Sequence, residues 1–308
     1  MFDKLGIVTN CLAKRLANND SFEKLVEDFI QNGFMHIEIR DGDYLRQSDF
    51  GEILQGLETA IQHYSDAEWQ QICLAIHYKT SHITSDLKTQ NLRAIKDFCR
   101  LFQINPETVF SYAIAHSWMG QAPSAAADDA CIIRAKKLAY LLSPANARLR
   151  LVDMTVGQPL DENTAISNLR RYQSLAPVFP VALAVENSQL PPHVILNLAS
   201  QSNVYLAYDE ANNYNQDGLV LGDTKLFWKS VQNQQIISVH LKQKTHEGVC
   251  AHLKEGFVDM PALFNRLRSI SYRGDWLFEY RPTTQPVQDA IKSREHLLTH
   301  QIKKGVTP

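Results

Sequence analysis

Short apolar runs alternate along this chain with longer stretches that are apolar on one side only. Eight of the short runs read as strands: LGIVTN (5–10), MHIEIR (35–40), VFSYAIA (109–115), LRLVDMT (149–155), VALAVE (181–186), VYLAYD (204–209), IISVHLK (236–242) and WLFEYR (276–281). Most of these are apolar at consecutive positions, as in strands buried on both faces of a parallel sheet. The intervening stretches carry helical spacing. In 19–33, Phe22, Leu25, Val26, Phe29 and Ile30 share one face, Asp20 with Glu23 three residues on reads as the capping signal, and Gly33 marks the end. Residues 84–103, 126–143, 259–271 and 286–304 are similarly periodic. Eight β/α alternations in one chain predict an α/β protein, a single (β/α)8 barrel over residues 1–308.

One region breaks the rhythm. About seventy residues separate the second and third strand candidates, and residues 41–108 read as an enlarged second βα unit. It holds a helix near 48–64 and an apolar piece, ICLAIHY (72–78), which reads as a ninth strand or, alternatively, as the third barrel strand. The last four strands keep their places under either reading.

Composition narrows the classes. With 44% hydrophobic residues in 308 the chain can bury a large core, and a formal net charge of −2 supplies no basic field for a nucleic-acid backbone. Five cysteines, Cys11, Cys73, Cys99, Cys131 and Cys250, are odd in number and lack a CxxC spacing, which reads as free thiols in a reducing compartment. There is no signal-peptide core and no apolar stretch of membrane-spanning length. The expectation is a cytoplasmic protein with no membrane and no nucleic-acid partner.

The candidate chemistry lies at strand ends. In a (β/α)8 barrel the active site is built at the C-terminal ends of the strands. The last four strands end on Glu186, Asp209, His240 and Glu279, each one βα unit from the next. Taken singly, an acid there is more often a helix cap, Asp209 especially, and a lone histidine is more often a hydrogen-bonded one than a ligand. Four in succession point to one site. Three carboxylates brought together repel one another, and a divalent cation resolves that. An oxygen-rich set with one imidazole suits Mn2+, Mg2+ or Co2+ better than a thiolate-type zinc site, with Zn2+ as a further candidate.

At LAVENS, YLAYDEANN, SVHLKQ and LFEYRP the chain resembles the xylose-isomerase-like TIM barrels, which include sugar-phosphate isomerases and epimerases. The segment EGFVDMPALFNRLRSISYRGDWLFEYRP (255–282) is similar to that family's closing stretch, and GFMHIEIRDGD (33–43) to its second strand. The resemblance implies one divalent metal held by Glu186, Asp209, His240 and Glu279, with Glu186 and Glu279 as the acid/base pair in a metal-dependent isomerase or epimerase of sugars or sugar phosphates. Relatives are often dimers or tetramers, which implies a homo-oligomer. The chemistry is coherent: removing a proton beside a carbonyl creates an enediolate, whose charge a metal stabilises while carboxylates move the proton.

Further residues are candidates for contacting substrate. Lys242 and Arg281, each two positions past a ligand candidate, point to the same side. Asn212 can hydrogen-bond a ligand, and His116 and Asp153 are candidates for pocket lining. Glu38 and Arg40, two apart, read as an ion pair facing the barrel interior. His77, His246 and Trp118 are candidates for wall or lid. Two departures from the family pattern stand out: DEANN after Asp209, where a histidine or asparagine commonly follows a glycine, and Gln243, where aspartate is common. A metal-dependent lyase acting on a sugar-derived or cyclic keto acid, and a sugar-binding barrel without turnover, are the alternatives. A DNA-repair endonuclease would need extra histidines after Asp209 that the chain lacks.

Overall fold

The structure is a computed structural model that describes residues 5–78, 89–120, 124–153 and 160–302. Eight parallel strands close into a barrel: β1 (Leu5–Val8), β2 (His36–Asp41), β3 (Val109–Ala115), β4 (Arg148–Val152), β5 (Ala182–Glu186), β6 (Tyr205–Asp209), β7 (Ile236–Leu241) and, after a short hairpin of β8 (Lys244–Thr245) and β9 (Gly248–Val249), β10 (Asp275–Phe278). β10 pairs with both β7 and β1, and this closure leaves the barrel no edge.

Alternation along the strands explains the packing. Leu183 and Val185, Leu206 and Tyr208, and Val239 and Leu241 are fully buried. At the alternate positions of the same sheet stand small residues, among them Gly6, Ser111, Ala113, Ala184 and Ala207. Gly6 is required by close approach: a Cβ there would lie 2.3 Å from the His36 carbonyl oxygen. The small residues leave space inside the barrel for long charged side chains. At the N-terminal end of the barrel His36 contacts Ser111 Oγ at 2.8 Å and Asp275 at 3.1 Å, and Arg148 pairs with Asp275. This network ties β2, β3, β4 and β10 together at the face where barrels carry stability and not catalysis.

The helix Phe22–Gln31 buries the five-residue face predicted for it. Its start differs from expectation. Ser21 is the N-cap residue and makes no side-chain cap bond. Asp20 pairs with Arg15 instead, and the Phe22 amide donates to Asp49 Oδ1 at 3.0 Å, so a carboxylate from a neighbouring helix caps this one. The first strand stops at Val8 and not at Asn10, because Thr9–Leu12 forms a 3-10 turn. The last strand stops at Phe278, although the Glu279 amide still donates to the Leu241 carbonyl.

Between β2 and β3 the chain passes through helices Asp43–Arg46, Asp49–His63, Asp66–Tyr78 and Thr89–Ile104. The segment 72–78 is therefore helix, neither a ninth strand nor a barrel strand. Trp69, Ile72, Cys73 and His77 fall on one helical face. Trp69 Nε1 donates to the Lys137 carbonyl at 3.1 Å and His77 Nε2 lies 2.7 Å from the Leu141 carbonyl, which seats this helix on Ala125–Leu142. All five cysteines are free. Among the described residues, no helix is long and apolar enough to cross a membrane.

Candidate metal centre

Glu186 and Asp209 end β5 and β6, His240 is next to last in β7, and Glu279 directly follows β10. The sheet register places Asp209 beside His240 and Leu277 beside His240 on the other flank. One ligand atom from each of the four residues lies within 4.8 Å of the other three, and all four residues are buried. That spread is close to twice a metal–ligand bond of roughly 2.0–2.2 Å. Within the cluster His240 Nδ1 is 3.1 Å from Glu279 Oε2 and 3.7 Å from Glu186 Oε1. Asp209 Oδ2 and His240 Nε2 are buried and make no aligned hydrogen bond among the described residues. Three carboxylates and an imidazole, compact, buried and with the His240 Nε2 making no aligned hydrogen bond among the described residues, fit a divalent cation.

The surroundings hold each ligand in place. Asp209 Oδ1 accepts from the Ala211 amide at 2.8 Å, so the residue is both a turn cap and a member of the cluster. Asn187 clasps the backbone of Asp209 on both sides, accepting from its amide and donating to its carbonyl, each at 2.8 Å. Asn212 donates to Glu186 Oε1 at 2.9 Å, and Asn10 donates to Glu279 Oε1 at 3.1 Å. Gln243 clasps the Val258 amide and carbonyl at 3.0 and 2.9 Å, which gives this departure from the family pattern a role in holding the loop before helix Met260–Ser269.

Sequence reasoning missed how many cations serve these acids. Arg150, from the middle of β4, is fully buried; it donates to Glu38 Oε1 at 2.9 and 2.5 Å and also to Glu186 Oε2. Glu38 and Arg40 do not pair with each other as expected: Glu38 belongs to Arg150, and Arg40 reaches Glu279 Oε1 at 3.2 Å. Lys242 Nζ lies 2.5 Å from Asp209 Oδ2 and 3.3 Å from Glu279 Oε2. The signal for Arg150 was present in LRLV, a charge in phase with Glu38 and Glu186 between two leucines.

These neighbours set the proton affinities. Burial pushes the Glu186 carboxyl up, but Arg150 outweighs it and holds it at about 2. Burial likewise opposes ionisation of Glu279, and Lys242 with His240 brings it well below the usual carboxylate range. Burial and Arg150 press the His240 imidazolium down; contacts with Glu186 and Glu279 overcome both and raise it to about 9. For Asp209 burial wins over Lys242, and its carboxyl is shifted upward.

The cluster opens into a cavity of about 390 Å³, of the size that small-molecule sites occupy. Asn10, Arg40, Asn212, Lys242, Glu247 and Arg281 supply polar groups to it alongside Glu186 and Glu279. Arg281 is exposed at the rim of this cavity. A larger cavity, about 520 Å³, lies on the outside of the barrel against helices Pro192–Ser202 and Thr224–Ser230, but it gathers no acid–base cluster. Of the other candidates, His116 is held by Asp128 at 2.7 Å, and Asp153 accepts from the Trp118 and Met119 amides at 2.8 and 3.0 Å. Trp118 is buried, His77 sits on an outer helix, and His246 contacts the Gln216 carbonyl at 3.0 Å. None of these five lines the 390 Å³ cavity among the described residues.

Comparison with solved structures agrees with this architecture. A xylose isomerase-like TIM barrel protein from Mycobacterium smegmatis, in complex with magnesium, matches at a TM-score of 0.62 and 14% identity, over 96% of this chain and 95% of that one. The two share a fold, a closed barrel of eight parallel strands. A D-psicose 3-epimerase from Clostridium cellulolyticum H10, with D-tagatose, matches at 0.54 and 12% over 98% and 99% of the two chains. A family 2 AP endonuclease from Brucella melitensis matches at 0.55 and 16% over 96% and 99%. No protein-family model matches the sequence, and the search of curated proteins gives no match. Structures similar to this one thus include an epimerase and an endonuclease, and the function must be argued from the site.

Proposed function

We propose that the protein is a divalent-metal-dependent isomerase or epimerase of sugars or sugar phosphates. The observation that carries this reading is the convergence of Glu186, Asp209, His240 and Glu279 in one buried cluster, two of whose members, Glu186 and Glu279, line a cavity sized for a small molecule. These four residues would hold the metal. A bound Mn2+, Mg2+ or Co2+ supplies Lewis-acid stabilisation of the charge that gathers on substrate oxygens as a proton leaves carbon.

The rest is work for the chain's own groups. Glu186 and Glu279 are both held ionised, so either carboxylate can accept the proton next to a substrate carbonyl. The C–H electron pair passes into the carbon framework and onto the carbonyl oxygen, giving an enediolate. The proton is then returned, either by the acid that took it or by the other glutamate once that has taken up a proton from solvent. Return to the other face of the same carbon gives the epimer; return to the adjacent carbon gives the aldose–ketose isomer. Asn10 and Asn212 orient the two acids, and Lys242, Arg40 and Arg281 offer hydrogen bonds to substrate hydroxyl or phosphate oxygens.

A second reading, a lyase that dehydrates a keto acid after the same enolate-forming step, draws support from three cations lining one cavity, which suit a carboxylate. One experiment separates the two. Purified protein loaded with Mn2+ is given free and phosphorylated ketoses, and separately keto acids, in deuterated water. Deuterium entering the carbon beside the carbonyl of recovered sugar supports the isomerase. Loss of water to a new keto product supports the lyase. Metal loading without either outcome would leave a binding protein and overturn both.

A further inference from the structure

Lys242 stands where a metal's charge would act. Its ammonium is 2.5 Å from Asp209 Oδ2 and 3.3 Å from Glu279 Oε2, and both residues belong to the four-residue cluster. Asp209 Oδ1 already accepts from the Ala211 amide, so Oδ2, the oxygen that Lys242 faces, has the greater capacity for a cation. Glu279 is similarly committed: Oε1 takes Asn10 and Arg40, and Oε2 faces His240 and Lys242. A cation coordinated by Asp209 Oδ2 and Glu279 Oε2 would therefore meet an ammonium on the same oxygens, and two like charges at that separation repel strongly in a buried site.

The two buried cations differ in freedom. Arg150 is pinned as a fork between Glu38 and Glu186 and does not line the cavity. Lys242 does line it, and its flexible four-carbon stem can carry the charge off the acids into that space.

We infer that Lys242 is an exchangeable internal counter-ion: it neutralises Asp209 and Glu279 until a divalent metal takes their oxygens, and metal binding drives its ammonium into the cavity, toward the position of an oxygen-rich substrate. This rests on the metal-site reading above. It makes Lys242 a positioning residue whose place depends on metal loading.

The test uses chelator-treated full-length protein and Mn2+ alone. Lysines are reductively methylated with and without Mn2+, and the extent at each lysine is read by mass spectrometry. Lys242 should be protected in the stripped protein and become several-fold more reactive with Mn2+, while Lys244, which bonds the Tyr214 carbonyl at 2.7 Å, should not change. In parallel, Mn2+ dissociation constants are measured by the resonance of free Mn2+. Lys242→Met should bind about tenfold more tightly or better, because the competing charge is gone, and Lys244→Met should match the wild type. Unchanged Lys242 reactivity on Mn2+ binding, or Mn2+ affinity in Lys242→Met equal to or weaker than wild type, overturns the inference while leaving the metal site standing. No Mn2+ binding by the wild type or the variant overturns both. The labelling arm needs no variant, so a poorly folding substitution does not weaken the test.

Discussion

Arg150 donates two hydrogen bonds to a single carboxylate oxygen of Glu38, at 2.9 and 2.5 Å, across the inside of the barrel, and spends its remaining arm on Glu186. A fully buried guanidinium thus joins β2, β4 and β5 directly beneath the candidate metal centre. Removing one partner of such a network leaves charges without compensation. Arg150→Leu should destabilise the protein by about 3–5 kcal/mol in urea denaturation, and Arg150→Leu with Glu38→Leu should recover part of that loss.

The two ligand candidates from β7 and the end of β10 should separate in their effects. Glu279→Gln keeps one oxygen for a cation but cannot accept a proton as a carboxylate. It should retain measurable Mn2+ binding and lose solvent deuterium exchange by about a hundredfold or more. His240→Ala should weaken Mn2+ binding and exchange together. Normal exchange in both variants would show that chemistry occurs elsewhere.

His77 gives a pH signature away from the site. Burial in the seat against Ala125–Leu142 depresses its proton affinity below that of a free imidazole, against the opposing pull of the Leu141 carbonyl. Above the unfolded value of about 6.5 the residue is neutral in both states and pH has no effect through it. Below that value the unfolded chain gains a proton that the folded chain resists, so stability falls as pH falls, until the depressed folded value is passed. His77→Gln should flatten this part of the curve, read as the urea midpoint at pH 7.5, 6.5 and 5.5.

Gly6 tests the packing of the barrel interior. An added Cβ would meet the His36 carbonyl oxygen at 2.3 Å and a Leu277 methyl at 2.7 Å. Neither the strand backbone nor a fully buried leucine has room to withdraw. Gly6→Ala should cost about 1–3 kcal/mol in the same denaturation assay, with the chain still folding to a barrel.

Particular residues show how far the sequence could be read. Glu186, Asp209, His240 and Glu279 were legible because each ends an apolar run, and in a parallel barrel the ends of successive strands are neighbours whatever the loops do. Lys242 and Arg281 followed from the period of two. The segment 72–78 was misread because a short apolar run has the same appearance in a strand and in a helix packed on a second helix. The contacts of Trp69 and His77 with the helix Ala125–Leu142 decided it. The pairing of Glu38 with Arg40 was misread because residues two apart on a strand lie in different layers of the barrel, roughly 6–7 Å apart along its axis. Each finds its nearest opposite charge across the interior, on Arg150 and Glu279.

By itself, then, the sequence determined the alternation of strands and helices, the closure into one barrel, and which four side chains stand at its mouth. These depend on local periodicity and on connections that run the same way every time. The partners of the buried charges were decided only by the tertiary structure. A long side chain inside a barrel chooses among all eight strands at once, and its choice depends on the layer it occupies, the small residues that leave it room, and the charges opposite. No single segment of the chain holds that information.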